Sequence, residues 1–504
     1  PHTPEKPPMS LLSALSRPLA ALVAAQTRNW SRHPRRAQQR IFDELVRNGR
    51  MTAFGQDHAF DTIRTYAHFS KQVPVRDYEA LRPWLDRVKA AEDNVLWPGK
   101  PLYLAKTSGT TSGAKYIPIT RASIPNHIES TRNALLNYIH RTGKARFLDG
   151  KLIFISGSPA LDTTNGILTG RLSGIVNHHV PAYLRRNQLP SYATNTIEDW
   201  EVKVDAIVEE TLRADMRFIS GIPPWVQMYF DRLTARTGKP IKEIFPNFEL
   251  FVYGGVNYEP YRAKIEQSIG RPVDSIELYP ASEGFIAYQD IPGDPGMLLM
   301  LNSGIFYEFI PLAEYFSPNP TRLPIWEVQP GVNYAIVLNT NAGLWGYSLG
   351  DTVRFVSTDP YRLVVTGRVK HFISAFGEHV IAEEVEKALA AASRLVHAEV
   401  IEFTVAPQVS PPEGGLPYHE WFIEFGKQPE NLEKFRLAID ESLQRQNIYY
   451  RDLIAGHILQ PLRIRPLAKD TFITYMRNEG KLGGQNKVPR LSNDRALVDG
   501  LAKL

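Results

Sequence analysis

No cysteine occurs anywhere in the 504 residues, which excludes disulfides, thiolate metal sites and a cysteine nucleophile together. The same absence fits a reducing compartment, and a cytoplasmic location is the expectation. Long apolar runs are missing as well. The nearest approach, Leu11–Ala25, is interrupted by Arg17 and Pro18. It is too short to cross a bilayer and lacks a strongly basic start, so it predicts an N-terminal packing helix and no membrane span. Residues before Met9 are proline-rich and polar and carry no prediction. Nor does charge of one sign dominate: 58 Lys+Arg face 53 Asp+Glu, a formal net charge of +5, with no single-sign block of the kind that tracks phosphates. Nucleic acid is therefore not an expected partner. No self-similarity at a period of ~20–50 residues is visible, which sets solenoids and propellers aside.

What is present is an ordinary globular composition, 43% hydrophobic and 22% charged, in a chain longer than one core serves, so two or three domains are expected. Apolar positions Ile41, Leu45 and Val46 within 35–48, and Trp200, Val204, Ile207, Val208 and Leu212 within 197–212, follow a helical period and predict outer helices. Between such stretches stand short apolar runs that lead into glycine: Leu152–Ser156 before Gly157, Leu250–Tyr253 before Gly254, and Ile276–Tyr279 ahead of Gly284. The alternation predicts layered α/β sheets, whose ligands gather outside the carboxyl ends of the strands. From about residue 330 to 368 closely spaced strands, Tyr334–Asn339, Val353–Val356 and Leu363–Thr366, predict a β-rich subdomain of a large N-terminal domain, 1–368. After Arg368 the pattern reads helix 381–391, strand 399–404, a loose proline and glycine loop at 407–417, strand 421–425, helix 432–444 and strand 462–465. That is a small α+β C-terminal domain, 369–504.

The chemistry concentrates in six segments. Thr107-Ser108-Gly109-Thr110-Thr111-Ser112-Gly113-Ala114-Lys115 interleaves five hydroxyl residues with two glycines and closes on a lysine. Small residues let backbone N–H groups reach an anion, hydroxyls donate further bonds and the lysine adds a point charge, which suits a polyphosphate. It is not a Walker A loop, because only three residues separate Gly109 from Gly113 and Ala114 stands between glycine and lysine. Gly254-Gly255 permits close approach of a flat ring to the backbone. Tyr279-Pro280-Ala281-Ser282-Glu283-Gly284 offers an aromatic ring for a base and a carboxylate for a divalent cation. In Gly343-Leu344-Trp345-Gly346-Tyr347-Ser348-Leu349-Gly350-Asp351, the aspartate suits a pair of ribose hydroxyls. Thr366-Gly367-Arg368-Val369-Lys370-His371 places cations at the predicted domain junction. Gly480 to Arg490 is glycine-rich and basic. Taken singly, each has an ordinary reading as well: a flexible surface loop, a strand-to-helix turn, a solvated carboxylate, a Gly-Asp turn or a basic tail.

Their order along the chain discriminates. TSGTTSGAK, VYGG, YPASEG, GLWGYSLGD, TGRVKHFISAFGEHV and GGQNKVPR follow one another as do the signature segments of the acyl-adenylate-forming enzymes. The serine between Thr111 and Gly113 and the ending Gln485-Asn486-Lys487-Val488-Pro489-Arg490 narrow the likeness. The chain resembles the auxin-responsive acyl-acid amido synthetases, whose plant members join hormone carboxylates to amino acids, from about residue 30 to the end.

The resemblance implies an ATP- and Mg²⁺-dependent enzyme that converts a carboxylic acid to acyl-AMP, releases pyrophosphate and passes the acyl group to the amine of an amino acid. It assigns Ser108, Thr110, Thr111 and Lys115 to the ATP phosphates and Gly254, Gly255 and Tyr279 to the adenine. Ser282 and Glu283 would face phosphate and magnesium, Asp351 the ribose hydroxyls, and Arg368 ribose and phosphate at a hinge. Lys487 would reach in from a C-terminal domain that rotates between the two half-reactions; it fits the closing lysine-x-x-arginine pattern better than its competitor Lys481, which glycines follow. Two departures stand out. The plant enzymes flank the tyrosine of the glycine-aspartate segment with arginines, where this chain has Gly346 and Ser348, and the spacing from Gly113 to Lys115 is one residue shorter than theirs. His178-His179 carries no diagnostic context, and no general base is assigned. Transfer to a coenzyme A or carrier-protein thiol, and a catalytically silent binding protein on the same fold, are the alternatives; a phosphotransferase that releases ADP is disfavoured.

Overall fold

The computed structural model describes residues 10–107, 114–255, 258–369, 372–373, 378, 380–455, 458–482, 487–492 and 494–504. The chain divides into two compact units: Pro1–Val256, Ile265–Leu349 and Arg354–Val364 form the first, and Asn257–Lys264, Gly350–Val353 and Val365–Leu504 the second. The second unit thus includes an excursion at 257–264 that no composition shift announces.

The N-terminal helix Leu11–Ser31 does pack, against helix Ile124–Thr142. It buries Ser13, Ser16, Ala20, Val23, Ala24 and Thr27, however, and leaves Leu11, Leu15, Leu19 and Leu22 exposed. Small residues let the two helix backbones approach closely, so the buried face is the less hydrophobic one. Helix Pro34–Gly49 behaves as its periodicity predicts: proline at the first turn supplies a fixed φ, and Ile41, Phe42, Leu45 and Val46 are buried.

Sixteen strands in the two larger sheets carry the first unit's architecture. They are β1 Tyr103–Thr107, β2 Lys115–Ile119, β3 Lys151–Ile155, β4 Asp162–Thr164, β5 Ile167–Gly170, β6 Gln188–Leu189, β7 Met216–Gly221, β8 Leu250–Gly254, β9 Asp274–Ala281, β10 Gly284–Tyr288, β11 Met297–Leu299, β12 Ile305–Pro311, β13 Leu323–Pro324, β14 Asn333–Thr340, β15 Tyr347–Thr358 and β16 Tyr361–Arg368. One sheet runs β2-β1-β5-β4; the other runs β13-β12-β14-β15-β16-β11-β10-β9-β8-β7-β3-β6. The strands of 333–368, the β-rich stretch that the sequence predicts, are part of the large sheet. Local spacing reveals strands but not the sheet they join.

Strands β3, β7, β8 and β9 pair in parallel. Their carboxyl ends accordingly lie side by side, and Ser156-Gly157, Ile222, Gly255 and Ser282-Glu283 emerge along one edge. β8 is a continuous apolar run, Leu250 to Tyr253, buried on both faces as a parallel strand requires.

Helix Trp200–Thr211 buries Trp200, Val204, Ile207 and Val208, as predicted, together with Lys203, which is 2% exposed. The Lys203 ammonium donates to the carbonyl oxygens of Ser156 at 2.9 Å and Asn195 at 2.7 Å. Burial, with Arg171 adding, pulls its pKa from 10.5 to about 8. Between those values the unfolded chain binds the proton that the folded one has released, so folding stability gains with rising pH. Lys203→Met should abolish this gain. Denaturant titrations at pH ~8 and ~10 should show wild type gaining about 1–3 kcal/mol relative to the variant.

The second unit is an α+β domain, as its sequence predicts. Its sheet runs β19-β20-β21, with β17 Phe372–Ile373 and β18 Val380–Ile381 forming a separate ladder and β19 Glu399–Gln408, β20 Tyr418–Lys427 and β21 Arg463–Leu467 the main one. Helices Ala382–Val396 and Leu432–Gln446 cover it, with Val385, Leu389, Phe403, Trp421, Phe435 and Leu443 in one core. Both β19 and β20 run longer than predicted, pairing across a bulge near Val400. Among the described residues no helix is long and apolar enough to cross a membrane.

Candidate active site

The hydroxyl-rich segment connects β1 to β2, an antiparallel pair in which Thr107 stands opposite Lys115. Ser108, Thr110 and Thr111 lie outside the described residues. Lys115, at the foot of the hairpin, holds its ammonium 5.4 Å from the Tyr78 ring centroid, and Tyr116 N donates to Tyr78 Oη at 3.0 Å. Helix Tyr78–Lys89 thereby braces the hairpin.

Gly254 closes β8, and Gly255 follows with φ +82°. A Cβ on Gly254 would stand 2.3 Å from Leu278 O in β9. The glycine is required by sheet spacing, before any ligand is considered. Gly254→Ala must push a backbone carbonyl aside and should destabilise the protein by ~1–3 kcal/mol, measurable by thermal or denaturant unfolding.

Tyr279 is buried in β9. Ala281 pairs with Gly284, so Ser282 and Glu283 form a two-residue turn into β10. This turn is pinned from below. Asn126, on helix Ile124–Thr142, accepts from Phe285 N at 2.6 Å and donates to Phe285 O at 3.1 Å and to Ser303 Oγ at 2.9 Å. A Cβ on Gly284 would meet Ile305 Cδ1 at 2.5 Å. From above, the Tyr347 hydroxyl donates to Glu283 Oε1 at 3.0 Å. Two segments 64 residues apart thus meet at one carboxylate.

The strand that carries Tyr347 is positioned in turn by residues with no sequence signal. Gly346 N donates to Asn339 Oδ1 at 2.7 Å, Asn339 Nδ2 donates to the buried Glu308 at 2.8 Å, and Arg322 pairs with Glu308 at 2.7 Å. Trp345, fully buried, donates from Nε1 to Leu96 O at 3.0 Å. The first departure from the plant pattern, Gly346 and Ser348 in place of arginines, has a structural setting here. Gly346 has φ +57°, and a Cβ on it would stand 2.6 Å from Pro74 O. Ser348 is buried against Tyr315, hydroxyl to hydroxyl at 2.7 Å. Arg76 runs alongside, its N donating to Gly346 O at 2.9 Å and its O accepting from Ser348 N at 2.8 Å. A side chain at 346 has no room in this backbone arrangement, and arginine at 348 would have to displace Tyr315.

In the second unit, Asp351 and Arg368 form an ion pair at 3.0 Å, with half of the arginine side chain exposed. Val369 N donates to Gly350 O at 2.8 Å and Thr366 Oγ1 to Thr352 Oγ1 at 2.8 Å, which fixes the two strand ends. Lys487 reaches the surface, yet the protein around it limits its hydration and draws its pKa down to about 8; Asp351 opposes that shift, and Arg368 and Arg490 add to it. Asp351, Arg368 and Lys487 therefore share one electrostatic neighbourhood. Lys481 instead makes an exposed pair with Glu479 at 3.4 Å.

Arg490 is the residue that sequence reading undervalues. It is buried, pairs with Glu386 at 3.2 Å and with Glu402, and donates to Phe403 O at 3.3 Å and to the Tyr261 hydroxyl. Val405 N donates to Arg490 O at 2.9 Å and Thr404 Oγ1 to Pro489 O at 2.8 Å, so the segment that follows Lys487 docks on β19. His178 and His179 are structurally engaged, with Pro159 O and the Tyr103 hydroxyl, each at 3.0 Å.

Among the described residues no three His, Cys, Asp or Glu side chains cluster to cage a metal ion. A single half-buried carboxylate, Glu283, held at one oxygen by Tyr347, suits magnesium, which keeps its waters and is otherwise held by substrate phosphates.

Residues 23–192, 298–368 and 383–496 match the GH3 family N-terminal, central and C-terminal domains. The indole-3-acetic acid-amido synthetase GH3.3 of Arabidopsis thaliana is 26% identical, over 90% of this chain and 88% of its own length. The jasmonoyl-L-amino acid synthetase JAR4 of Nicotiana attenuata is 22% identical over 90% of each. Among solved structures, GH3.15 acyl acid amido synthetase superposes with a TM-score of 0.79 at 17% identity over 96% of both chains. A 2-hydroxyisobutyryl-CoA ligase in its postadenylation state gives 0.57 at 12% identity, over 100% of this chain and 97% of its own. The fold is that of the acyl-adenylate-forming ligases.

Proposed function

From the premise that the chain belongs to the GH3 family, we propose that it is an ATP-dependent acyl-acid amido synthetase: it activates a carboxylic acid as acyl-AMP and transfers the acyl group to the amine of an amino acid. The observation that carries this reading is the convergence of YPASEG and GLWGYS at Glu283 on the carboxyl edge of the parallel strands, in a chain that matches the family over most of its length.

A carboxylate is a poor acyl donor because oxide is a poor leaving group; the mixed anhydride with AMP is a good one. In this reading the acid attacks the α-phosphate of ATP and pyrophosphate departs. The hydroxyl loop with Ser108, Thr110, Thr111 and Lys115 holds the phosphates through N–H and O–H donors. Gly254 and Gly255 admit the adenine beside Tyr279. Ser282 contacts phosphate, and Glu283, aimed by the Tyr347 hydroxyl, is the residue that would hold magnesium. When bound, that ion supplies charge neutralisation on the phosphoryl oxygens. Asp351 accepts from the ribose hydroxyls, Arg368 stands beside ribose and phosphate, and Lys487 stabilises charge that grows as the phosphorus is attacked. Rotation of the second unit between half-reactions belongs to the same proposal. The amine must attack in its neutral form, and it expels AMP. Cytoplasmic location remains part of the reading on the grounds of the missing cysteines.

The test is product identity. Incubation with ATP, magnesium, a panel of aromatic, aliphatic and hydroxy acids and mixed amino acids should give AMP and an amide detected by mass spectrometry. AMP release that only a thiol accelerates would move the protein to the thioester-forming ligases, and ADP would exclude adenylation.

A further inference from the structure

Arg171 stands at the end of β5, just before helix Leu172–His178, and its guanidinium lies across the Gly157 backbone. A Cβ built on Gly157 would be 2.8 Å from Arg171 Cδ and 3.0 Å from Nη1. The side chain is half-buried, and burial alone lowers its pKa, with no carboxylate opposing. Three other arginines sunk into this protein face acids: Arg322 meets Glu308, Arg362 meets Asp290, and Arg490 meets Glu386 and Glu402; Arg76, which meets no acid, lies instead over the Phe54 and Trp84 rings and against the His58 imidazole. Among the described residues no such partner is recorded for Arg171.

A second cation lies behind it. Lys203 donates to Ser156 O at 2.9 Å, so Arg171 and Lys203 bracket the Ser156-Gly157 turn that leaves β3, and the charge that bears most on Lys203 is that of Arg171. The Lys203 ammonium is 5.9 Å from the Trp200 ring, which packs on Trp225 with ring centroids 4.5 Å apart. This positive, aromatic-walled corner sits on the carboxyl edge of the parallel strands. β7 alone separates β3 from β8, which puts Gly157 about 10 Å from Gly254-Gly255 by strand spacing. An arginine kept half-desolvated without an acid costs stability, and a carboxylate ligand would relieve that cost with paired N–H donors in its own plane.

We propose that Arg171 binds a second carboxylate, distinct from the one that is adenylated. Its source is either the far end of a dicarboxylic acyl acid or the α-carboxylate of the amino-acid acceptor. The inference rests on the amido-synthetase reading for the ligand's identity, and on the Arg171–Gly157 geometry for the site.

Two matched pairs of probes separate the sources in calorimetric titrations of the full chain: terephthalate against benzoate, and phenylalanine against phenethylamine. Wild type should prefer the probe with the extra carboxylate by about tenfold or more in one pair. Preference in the first pair identifies the acyl acid and preference in the second the acceptor. Arg171→Gln should erase it. Gly157→Ala, which keeps the charge but displaces the guanidinium, should reduce it, and Arg171→Lys should retain part. Unchanged thermal unfolding of Arg171→Gln excludes a folding defect. No preference in either wild-type pair, or a preference that survives Arg171→Gln, overturns the proposal. ATP–pyrophosphate exchange with monocarboxylic acids separates the two readings. Exchange in wild type with no Arg171-dependent preference sinks this site alone, whereas an Arg171-dependent preference without exchange for any acid keeps the site and sinks the amido-synthetase reading.

Discussion

Replacing Lys487 with glutamine is expected to slow ATP–pyrophosphate exchange by ~10²–10³-fold, the cost of removing one stabiliser of transition-state charge. The substitution should leave thermal unfolding where it is, because the side chain reaches the surface and packs in no core. The loss belongs to the ammonium: glutamine keeps most of the length and polarity but not the charge. Lys481→Gln is the internal control. Lys481 sits in the same basic segment and pairs with Glu479 at 3.4 Å in the open, so its removal should leave exchange near the wild-type rate. Initial exchange rates for the two variants decide between the lysines; equal effects, or none at Lys487, would remove it from the mechanism.

Arg490→Leu should destabilise the second unit by ~3–5 kcal/mol, the usual cost of stranding buried charge. Glu386 and Glu402 both point at the guanidinium, and Tyr261 and Phe403 O complete its shell. Leucine removes the cation that both carboxylates face in a water-poor site. Because Arg490 O accepts from Val405 N, and Pro489 O from Thr404 Oγ1, the same change should loosen the segment that presents Lys487 and depress exchange. Scanning calorimetry should show a transition shifted to lower temperature, and Arg490→Leu combined with Glu402→Leu should recover part of the loss. An unshifted transition would mean that the ion cluster is not anchoring the C-terminal segment.

Sequence legibility followed the range of the interaction. Helix Leu432–Gln446 and the apolar run of β8 could be read because their period and burial are local. Helix Leu11–Ser31 could be found but not oriented: hydropathy points its leucines inward, yet close packing on helix Ile124–Thr142 selects Ser13, Ser16 and Ala20 for the interface. The chain of contacts Arg322–Glu308–Asn339–Gly346, which aims Tyr347 at Glu283, joins residues dispersed over more than one strand and loop, and none carries a periodic or motif signal. Glycines of the candidate site divide in the same way. Gly254 looked like a ligand-facing residue and proves to be required by the Leu278 carbonyl, so its presence alone is no argument for a nucleotide.

Exchange of labelled pyrophosphate into ATP, measured with a panel of carboxylic acids, magnesium and no amine, decides whether the protein adenylates an acid. The account predicts exchange that requires an acid, falls sharply in Glu283→Gln and Lys487→Gln, and proceeds before any amino acid is added. Exchange with no acid in the panel from a folded protein that binds ATP would contradict it.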